Sequence, residues 1–304
     1  MSIRPVETIA ALRQRLEEAR RGAARIGFVP TMGALHHGHG QLIALARSEC
    51  DRVVVSIFVN PLQFDRVDDL AQYPRTLADD LALCESLGVD DVFVPAASEM
   101  YPSPPRCTVE VAELGDHLCG RYRPGHFRGV ATVVLKLFEI VRPDIAYFGE
   151  KDAQQLAIVR RLVTDFNLPV AIVGVPTVRE PDGLATSSRN RRLDPCERKL
   201  AITLFRALSA AADAIRAGET DAAEVKRRAM ATVPPSPDGY GAASPAGPAL
   251  RIEYLEVVNS DTMQPVVQID GTVVVAGALW VGSTRLIDNI RCEPPSLSWR
   301  APRA

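Results

Sequence analysis

The stretch IGFVPTMGALHHGHGQL, residues 26–42, leads from an apolar run directly into a turn with two histidines. Ile26–Val29 is typical of a short buried strand, and a helical pattern follows from His39. His36 and His39 stand three residues apart between the two. A strand that passes straight into a helix predicts an α/β unit, and polar residues in such a turn are candidates for ligand binding.

The first 180 residues repeat this alternation of apolar runs and helical patterns. Strands that are apolar almost throughout are typical of a parallel sheet covered on both faces. We therefore predict an α/β fold with a doubly wound, Rossmann-like sheet that binds its ligand beyond the carboxyl ends of the strands. The predicted strands are Ile26–Val29, Arg52–Val59, Asp91–Val94, Ile145–Phe148 and Val170–Val178, and the predicted helices are 39–49, 76–87, 129–141 and 151–166.

The remainder of the chain has the pattern of a smaller α+β domain. Asp194–Glu197, with the sequence DPCE, predicts a capped helix start, and Gly218 predicts the end of that helix. We predict two domains, 1–185 and 186–292, and a disordered tail at 293–304. The remaining predicted elements are a helix at 221–231, a flexible loop rich in Pro, Gly, Ala and Ser at 234–248, strands Arg251–Val258 and Thr272–Val281, and the segment 284–290.

Composition and charge narrow the classes of function. The chain has 304 residues, of which 47% are hydrophobic, a formal net charge of −2 and a pI of about 6.2. It lacks a long basic tract, an apolar run of about 18 residues and a signal-peptide core, so neither nucleic acid nor a membrane is the expected partner. Six cysteines without C-x-x-C or metal-site spacing predict reduced core thiols in a cytoplasmic protein.

Polar residues that suit phosphate binding follow four of the predicted strands. The first strand is followed by Thr31–His39, the second by Asn60–Phe64, the fourth by Gly149–Gln155 and the fifth by Thr177–Glu180 and then Thr186–Asn190. Because the carboxyl ends of parallel strands share one edge of a sheet, we expect these clusters to converge. Helix N-termini, imidazoles, a lysine and an arginine there predict a nucleoside triphosphate site. Since no G-x-x-x-x-G-K-[ST] loop is present, the His-x-Gly-His turn must supply the phosphate contacts.

Each cluster also has a simpler interpretation. Histidines at (i, i+3) can be solvated at a helix start, and a zinc site would lack further ligands nearby. Lys151 and Gln155 share a helical face at (i, i+4), which could be an exposed face, but they follow a strand end. Asp79 and Asp80 form an acidic pair in the predicted helix 76–87, where such pairs are usually solvated, so we do not assign them to the site.

Six motifs occur in order between residues 30 and 190, and the resemblance that they indicate extends from about residue 2 to 290. They are P-T-M-G-A-L-H-x-G-H, V-S-I-F-V-N-P-x-Q-F, Y-P-R-T, H-F-R-G-V-A-T-V-V, F-G-E-K-D-x-Q-Q and S-S-R-N. With these motifs the chain resembles the pantothenate synthetases, the pantoate–β-alanine ligases. This family belongs to the nucleotidyltransferases with HIGH and KMSKS signatures, to which His36–His39 and Thr186–Arg189 are similar.

The resemblance implies an ATP-dependent condensation in two steps. The carboxylate of pantoate attacks the α-phosphorus of ATP, which gives pantoyl adenylate and pyrophosphate. The amine of β-alanine then displaces AMP to give pantothenate. The resemblance further implies Mg²⁺ on the phosphates, a homodimer, a cytoplasmic location and a C-terminal lid domain, with small molecules rather than nucleic acid or a membrane as partners.

The resemblance implies catalytic roles for four residues. His39 is implied as a proton donor, with His36 as its partner. Lys151 is implied to bind phosphate, and Arg189 to belong to a segment that closes over the phosphates. The implied ATP-binding residues, which include these four, are Met32, Gly33, Ala34, Leu35, His36, His37, Gly38, His39, Gly149, Glu150, Lys151, Asp152, Val178, Thr186, Ser187, Ser188 and Arg189.

Two amides complete the implied site. Gln63 is implied to bind pantoate and to lie next to β-alanine, and Gln155 to bind pantoate, while the protein ligands of the metal are unknown. Two positions depart from the family pattern, because Thr186 stands where methionine is usual and His37 where an acidic residue is common. Nucleotidyl transfer to another acceptor and a non-catalytic nucleotide sensor are the alternatives. The two amides disfavour the first, and the two histidines of the turn disfavour the second.

Overall fold

A computed structural model describes residues 3–234 and 250–295. Of the predicted loop 234–248 and the predicted tail 293–304, only residues 234 and 293–295 fall within these ranges. The other residues of that loop and tail lie outside the described residues.

The chain divides into two compact units. The first unit comprises Met1–Gly115, Gly120–Val178 and Thr186–Ser188, and the second comprises Asp116–Cys119, Arg179–Ala185 and Arg189–Ala304, as far as these are described. The predicted boundary between residues 185 and 186 falls where the chain passes between the units, and it stays a prediction.

The first unit is built on a five-stranded parallel sheet. Its strands are β1 Ile26–Thr31, β2 Arg52–Ile57, β3 Asp91–Phe93, β4 Ile145–Gly149 and β5 Ala171–Val175. Their order in space is β3-β2-β1-β4-β5, so β1 lies in the centre and the chain changes direction across the sheet between β1 and β4. In open parallel sheets the ligand crevice lies at the carboxyl ends beside such a reversal. The predicted α/β fold class is confirmed.

Helices cover both faces of this sheet. The helices between residues 9 and 165 are α1 Ile9–Arg21, α2 His37–Glu49, α3 Val67–Ala71, α4 Leu77–Ser86, α5 Ala97–Met100, α6 Leu118–Tyr122, α7 His126–Val141 and α8 Ala153–Asp165, with short 3-10 turns at Pro61–Gln63 and Glu150–Asp152. The start of α6 belongs to the second unit. Successive residues of a strand point to opposite faces. The ring of Phe28 accordingly meets Phe138 of α7 with the ring centroids 6.5 Å apart, whereas Val29 packs with Leu42 and Ile43 of α2.

Some predicted element ends are wrong. Strand β2 ends at Ile57 and β5 at Val175, while α7 begins at His126, directly after Gly125 in a left-handed conformation with φ +77°. Helix α1 was not predicted, although the hydroxyl oxygen of Thr8 accepts the N–H of Ala11 at 3.2 Å as an N-terminal cap.

The second unit contains an antiparallel sheet of three strands with helices packed on it. The strands are β6 Leu250–Asn259, β7 Val273–Val281 and β8 Thr284–Cys292, and the helices are α9 Pro195–Ala201, α10 Thr203–Arg216 and α11 Ala222–Met230, preceded by a 3-10 turn at Ser188–Arg192. The predicted cap is confirmed, since Asp194 accepts the N–H groups of Cys196 and Glu197 at 2.7 and 2.8 Å. The single helix predicted to Gly218 is wrong. It is interrupted at Ile202, where neither proline nor glycine gives a local signal.

All six cysteines are free thiols. Four of them are buried, as the predicted core thiols require, but Cys107 and Cys196 are exposed. Within the described residues, no helix combines the length and the apolar character that crossing a membrane requires.

Candidate active site

The carboxyl ends of β2, β1, β4 and β5 lie side by side along one edge of the sheet. The turns that follow β1, β2 and β4 therefore lie along this edge, as the sequence predicts. Thr186 is joined to the segment after β5 by its N–H, which donates to the carbonyl oxygen of Val178 at 2.9 Å.

The turn after β1 is held by a buried carboxylate. Asp80 of α4 is only 2% exposed. Its two oxygens accept the N–H groups of Ala34 at 2.9 Å and Leu35 at 2.7 Å, and the hydroxyl of Thr76 at 3.1 Å. The expectation that Asp80 is solvated is therefore wrong. The expectation holds for Asp79, which is exposed. The two neighbours differ because only one face of α4 packs under this turn.

His36 and His39 cap the start of α2 reciprocally. The Nδ1 atom of His36 accepts the N–H of Gly38 at 3.2 Å, and the Nδ1 atom of His39 accepts the N–H of His36 at 3.3 Å. The two ring centroids are 4.1 Å apart. Both side chains are half-buried and hydrogen-bonded to the turn, so they are not simply solvated. His37, one of the two residues that depart from the family pattern, is exposed.

These hydrogen bonds fix the proton positions of both rings. A ring nitrogen that accepts an N–H carries no proton, so each neutral imidazole carries its proton on Nε2 and is a donor there. Burial, assisted by His36 and Lys151, lowers the pKa of His39 to about 3. His39 is therefore neutral near pH 7.

Neutral groups orient the two amide side chains of the turn after β2, and the guanidinium of Arg123 donates to the backbone carbonyl of Gln63 at 3.2 Å. Asn60 is 1% exposed and Gln63 is 7% exposed. The amide of Asn60 donates to Oε1 of Gln63 and to the carbonyl oxygen of Gly129, each at 3.1 Å, and accepts the hydroxyl of Tyr101 at 3.0 Å. The Nε2 atom of Gln63 donates to the sulfur of Met32 at 3.1 Å. The predicted substrate-binding amide is thus oriented at both of its polar atoms.

A third imidazole supports the same turn. Nδ1 of His126 donates to the carbonyl oxygen of Gln63 at 2.7 Å, and its Nε2 lies 3.2 Å from a guanidinium nitrogen of Arg123. A carbonyl only accepts, so the proton is on Nδ1 and Nε2 accepts from Arg123. Burial and the charge of Arg123 lower the pKa of His126 to about 4. His126 is therefore also neutral near pH 7, with the opposite tautomer from His36 and His39.

The segment after β4 differs from the predicted helix 151–166. Lys151 lies in the 3-10 turn Glu150–Asp152, before α8 begins at Ala153, so it does not share a regular α-helical face with Gln155. Lys151 lies 3.9 Å from the carboxylate of Asp152, measured from Nζ to Oδ2. Gln155 is half-buried, whereas the neighbouring Gln154 is buried and donates to the carbonyl oxygen of Leu114 at 2.8 Å.

The predicted phosphate segment is shared between the two units. Thr186–Ser188 belongs to the first unit and is half-buried, whereas Arg189 belongs to the second. In the second unit, Arg198 of α9 binds the carboxylates of Glu180 at 2.6 Å and Asp182 at 2.7 Å. The turn that precedes Thr186 in sequence is thereby fixed to the second unit.

A family model described as Pantoate-beta-alanine ligase matches residues 4–291. The chain belongs to this family. The pantothenate synthetase of Heliobacterium modesticaldum is 50% identical over 291 residues, which cover 96% of this chain and 100% of that protein. The family resemblance inferred from the motifs and the predicted enzyme class, a ligase, are confirmed.

Solved structures agree with this membership in the pantoate–β-alanine ligase family. Pantothenate synthetase from Thermus thermophilus has 45% sequence identity and a TM-score of 0.85, with 96% of this chain and 100% of that chain covered. The ligase from Francisella tularensis, crystallised in complex with beta-gamma ATP and beta-alanine, has 33% identity and a TM-score of 0.76, with 95% and 97% covered.

Sequence reasoning missed the residues that hold the two turns of this ligase. Asp80, Tyr101 and His126 each contact a turn that is distant in sequence, and the residues around Asp80 and Tyr101 carry no signal of that contact. The motif H-F-R-G carried a partial signal, since a side chain at Gly129 would overlap the carbonyl of Leu62 and lie 2.6 Å from the nitrogen of Gln63.

The sequence does not indicate which protein groups would bind a metal ion. Among the described residues, no group of three or more histidine, cysteine, aspartate or glutamate side chains is arranged to hold one. The carboxylate of Asp80 is already engaged by three donors under the first turn. A Mg²⁺ ion that is bound mainly by nucleotide phosphates needs only one or two protein carboxylates. The lack of a larger group among the described residues therefore does not conflict with that mode of binding.

Proposed function

We propose that this ligase condenses pantoate with β-alanine through a pantoyl adenylate, at the carboxyl edge of the parallel sheet. In the first step a carboxylate oxygen of pantoate forms a bond to the α-phosphorus of ATP, and the bond to pyrophosphate breaks. In the second step the amine nitrogen of β-alanine attacks the acyl carbon, AMP leaves, and the amine loses a proton. The products are pantothenate, AMP and pyrophosphate.

The observation that carries this proposal is the reciprocal pair of His36 and His39 beside the oriented amide of Gln63. One turn offers donors suited to an anion, and the next offers a neutral amide. A site that must bring ATP to a small hydroxy acid needs both. The alternative function, a non-catalytic nucleotide sensor, would not require the amide of the second turn to be oriented in this way.

The predicted role of His39 as a proton donor is refined by its ionisation. With a pKa of about 3, His39 does not carry an imidazolium proton to release near pH 7. We therefore assign to it a neutral Nε2–H that donates a hydrogen bond to phosphate oxygens, whose charge grows as pyrophosphate departs. A fixed donor of this kind stabilises a transition state without transferring its proton.

The other predicted residues complete the proposed site. Lys151 places a positive charge near His39 and is proposed to follow the phosphates, together with Gly149 to Asp152. The Nε2 atom of Gln63 donates to a thioether, which is a weak acceptor. Pantoate can therefore replace that sulfur at little cost, and Gln155 is proposed as the second amide that binds it.

The remaining predicted properties also enter as proposals. Mg²⁺ is proposed to accompany ATP and to neutralise its phosphates. Thr186–Arg189 and Val178 are proposed to contact the nucleotide, with the residues from 186 onward acting as a lid. A homodimer in the cytoplasm is proposed from the family resemblance, and size-exclusion chromatography and cell fractionation would test these two points.

The decisive experiment is pantoate-dependent exchange of labelled pyrophosphate into ATP in the absence of β-alanine. Exchange is expected, because the adenylate forms before the amine is needed. Mass analysis after β-alanine is added should then show AMP and pantothenate in equal amounts. Formation of ADP, or exchange that requires β-alanine, would contradict the adenylate route.

A further inference from the structure

Asp80 is a buried anion outside the residues assigned to substrate binding. It lies on α4, and its contacts are two N–H groups of the turn after β1 and one hydroxyl of its own segment. Within the described residues, no lysine or arginine forms an ion pair with it. A buried carboxylate is unfavourable unless donors satisfy it, so its burial depends on the turn keeping its shape.

The turn in return depends on Asp80. Gly33 and Ala34 have φ values of +78° and +50°, in the left-handed region that is unfavourable for alanine. A side chain at Gly33 would lie 2.9 Å from a methyl carbon of Ile57 and 3.0 Å from an oxygen of Asp80, so the carboxylate packs directly against this backbone. The N–H groups of Ala34 and Leu35 are the two that Asp80 accepts. The carboxylate thus favours this backbone conformation over more extended ones.

The backbone donors of this turn are used within the protein. The N–H of Gly33 goes to Thr31, those of Ala34 and Leu35 to Asp80, and that of His36 to His39. The turn therefore does not present these N–H groups to a phosphate. Its contribution to anion binding comes through the imidazoles that it presents.

We propose that Asp80 is a positioning residue for the nucleotide half of the site. By fixing the N–H of Leu35 it sets the direction in which the chain enters His36, and the reciprocal cap then sets His39. The turn after β2 has its own supports in Asn60 and His126, so Asp80 should act on ATP and not on pantoate. This inference rests on the proposed function in assigning the histidines to ATP.

The test is Asp80→Asn, with Asp79→Asn as the matched control. Both carboxylate oxygens of Asp80 accept a backbone N–H, so either orientation of the amide sets its NH₂ group against a donor. The neighbouring Asp79 is exposed and undergoes the same chemical change. We expect Asp80→Asn to raise the Kd for ATP by about tenfold or more, the scale of a lost hydrogen bond to a charged group. Asp79→Asn should remain near the wild-type value.

The readouts separate positioning from a general loss of structure. The Kd for ATP is measured by calorimetry, which needs no turnover, and the KM for pantoate by pyrophosphate exchange normalised to active sites. We expect the KM for pantoate to stay within about twofold of wild type. The proposal would be overturned if folded Asp80→Asn changed the Kd for ATP and the KM for pantoate by equal factors, or if it changed neither. If the wild type binds ATP without any exchange, the proposed reaction fails, whereas the comparison of Kd values still decides the role of Asp80.

Thr76→Val provides a milder second variant in case Asp80→Asn does not fold. It removes only the 3.1 Å hydrogen bond to Asp80 and nearly conserves volume. We expect a rise of about threefold in the Kd for ATP, in the same direction and with the pantoate KM unchanged, because the two backbone N–H groups still hold the carboxylate. A change confined to the pantoate KM would overturn the proposal.

Discussion

The turns after β1 and β2 follow neighbouring strands of one sheet, yet they are held by opposite means. The first is fixed by the negative charge of Asp80, which accepts two of its N–H groups. The side chains of the second turn are oriented by neutral groups, namely the amide of Asn60 and the hydroxyl of Tyr101. The carbonyl oxygen of Gln63 accepts from the neutral ring of His126 and, at 3.2 Å, from the guanidinium of Arg123. Each turn ends with a side chain directed by its neighbours, His39 in one case and Gln63 in the other.

The difference follows from what each turn is proposed to bind. The carboxylate of Asp80 accepts backbone N–H groups of the first turn, so these groups are not available to the substrate. The phosphates of ATP must then be bound by the imidazole Nε2–H groups and by Lys151. Under the second turn, neutral amide and hydroxyl groups orient the side chain of Gln63. The charged Arg123 binds the backbone carbonyl of Gln63 and is paired with Asp65. A variant that removes one of these groups should therefore change the kinetic constants for either ATP or pantoate, but not for both.

The largest effect is expected from removing the Nε2 donor of His39. In His39→Asn the side-chain oxygen can still accept the N–H of His36, but no group reaches the position of Nε2. Pantoate-dependent pyrophosphate exchange should slow by about 10²-fold or more, the scale of a donor to developing charge. The melting temperature should change little.

Two controls sharpen the result for His39. His39→Gln, whose amide reaches further, should recover part of the lost rate if a neutral donor is what matters. The pH–rate profile of the wild type should show no inflection from His39 between about pH 5 and 8, because its pKa lies near 3. Exchange at the wild-type rate in His39→Asn would make this imidazole a bystander.

Filling the space at Gly129 should give the next largest effect. A methyl group there overlaps the carbonyl of Leu62, so Gly129→Ala should push the second turn away from α7. We expect a loss of up to about 3 kcal/mol in the free energy of unfolding. Urea unfolding measures this loss, and kcat/KM for pantoate should fall more than kcat/KM for ATP.

Gly40→Ala is the matched control for Gly129→Ala. It is also a helical glycine, but the nearest atom to its added methyl group is a side-chain carbon of Leu87 at 3.6 Å, an ordinary contact. This variant should be as stable as the wild type or more stable by about 0.5–1 kcal/mol. Equal destabilisation of both variants would show that the close approach at Gly129 is unimportant.

The neutral His126 predicts that acid weakens the second turn. Its pKa is about 4 in the folded protein and 6.5 in the unfolded chain, so the unfolded chain binds the proton more readily. The stability contributed by neutral His126 is thus present above pH 6.5 and is lost as the pH falls towards 4. Between about pH 6.5 and 4.5 this titration should lower the free energy of unfolding by about 2 kcal/mol.

His126→Asn removes this titration and keeps an N–H for the carbonyl of Gln63. The difference in unfolding free energy between neutral and acidic pH should shrink by that amount relative to the wild type. Urea titrations at the two pH values measure it. An unchanged pH dependence would mean that His126 titrates normally.

Tyr101→Phe should have the smallest effect. It removes one hydroxyl, which donates to Asn60 at 3.0 Å, while the N–H of Leu62 still reaches the same oxygen at 3.4 Å. Loss of one neutral hydrogen bond should cost about 1 kcal/mol and lower kcat/KM for pantoate by about fivefold. Steady-state assays should show the KM for ATP unchanged. A change in the KM for ATP without a change in kcat/KM for pantoate would contradict the assignment of the second turn to pantoate.

The sequence by itself determined the parallel sheet, the position of most helices, the capped start of α9 and the residues at the strand ends. These features are local, because apolar periodicity and capping residues act within a few positions of one another. The motifs also identified the family. Even α1, which was missed, carried its local signal in Thr8.

Only the tertiary structure decided what holds and ionises the candidate site. Asp80 contacts a turn 45 residues earlier, and His126 contacts a carbonyl 63 residues away. Whether an aspartate is solvated or buried, and which nitrogen of a histidine carries the proton, depends on the partner that packing places beside it. Periodicity gives which face of a helix is apolar, but it does not say which distant N–H groups will meet the polar residue on that face. For this reason the chemistry could be placed along the chain from sequence, while its charge state and supports could not.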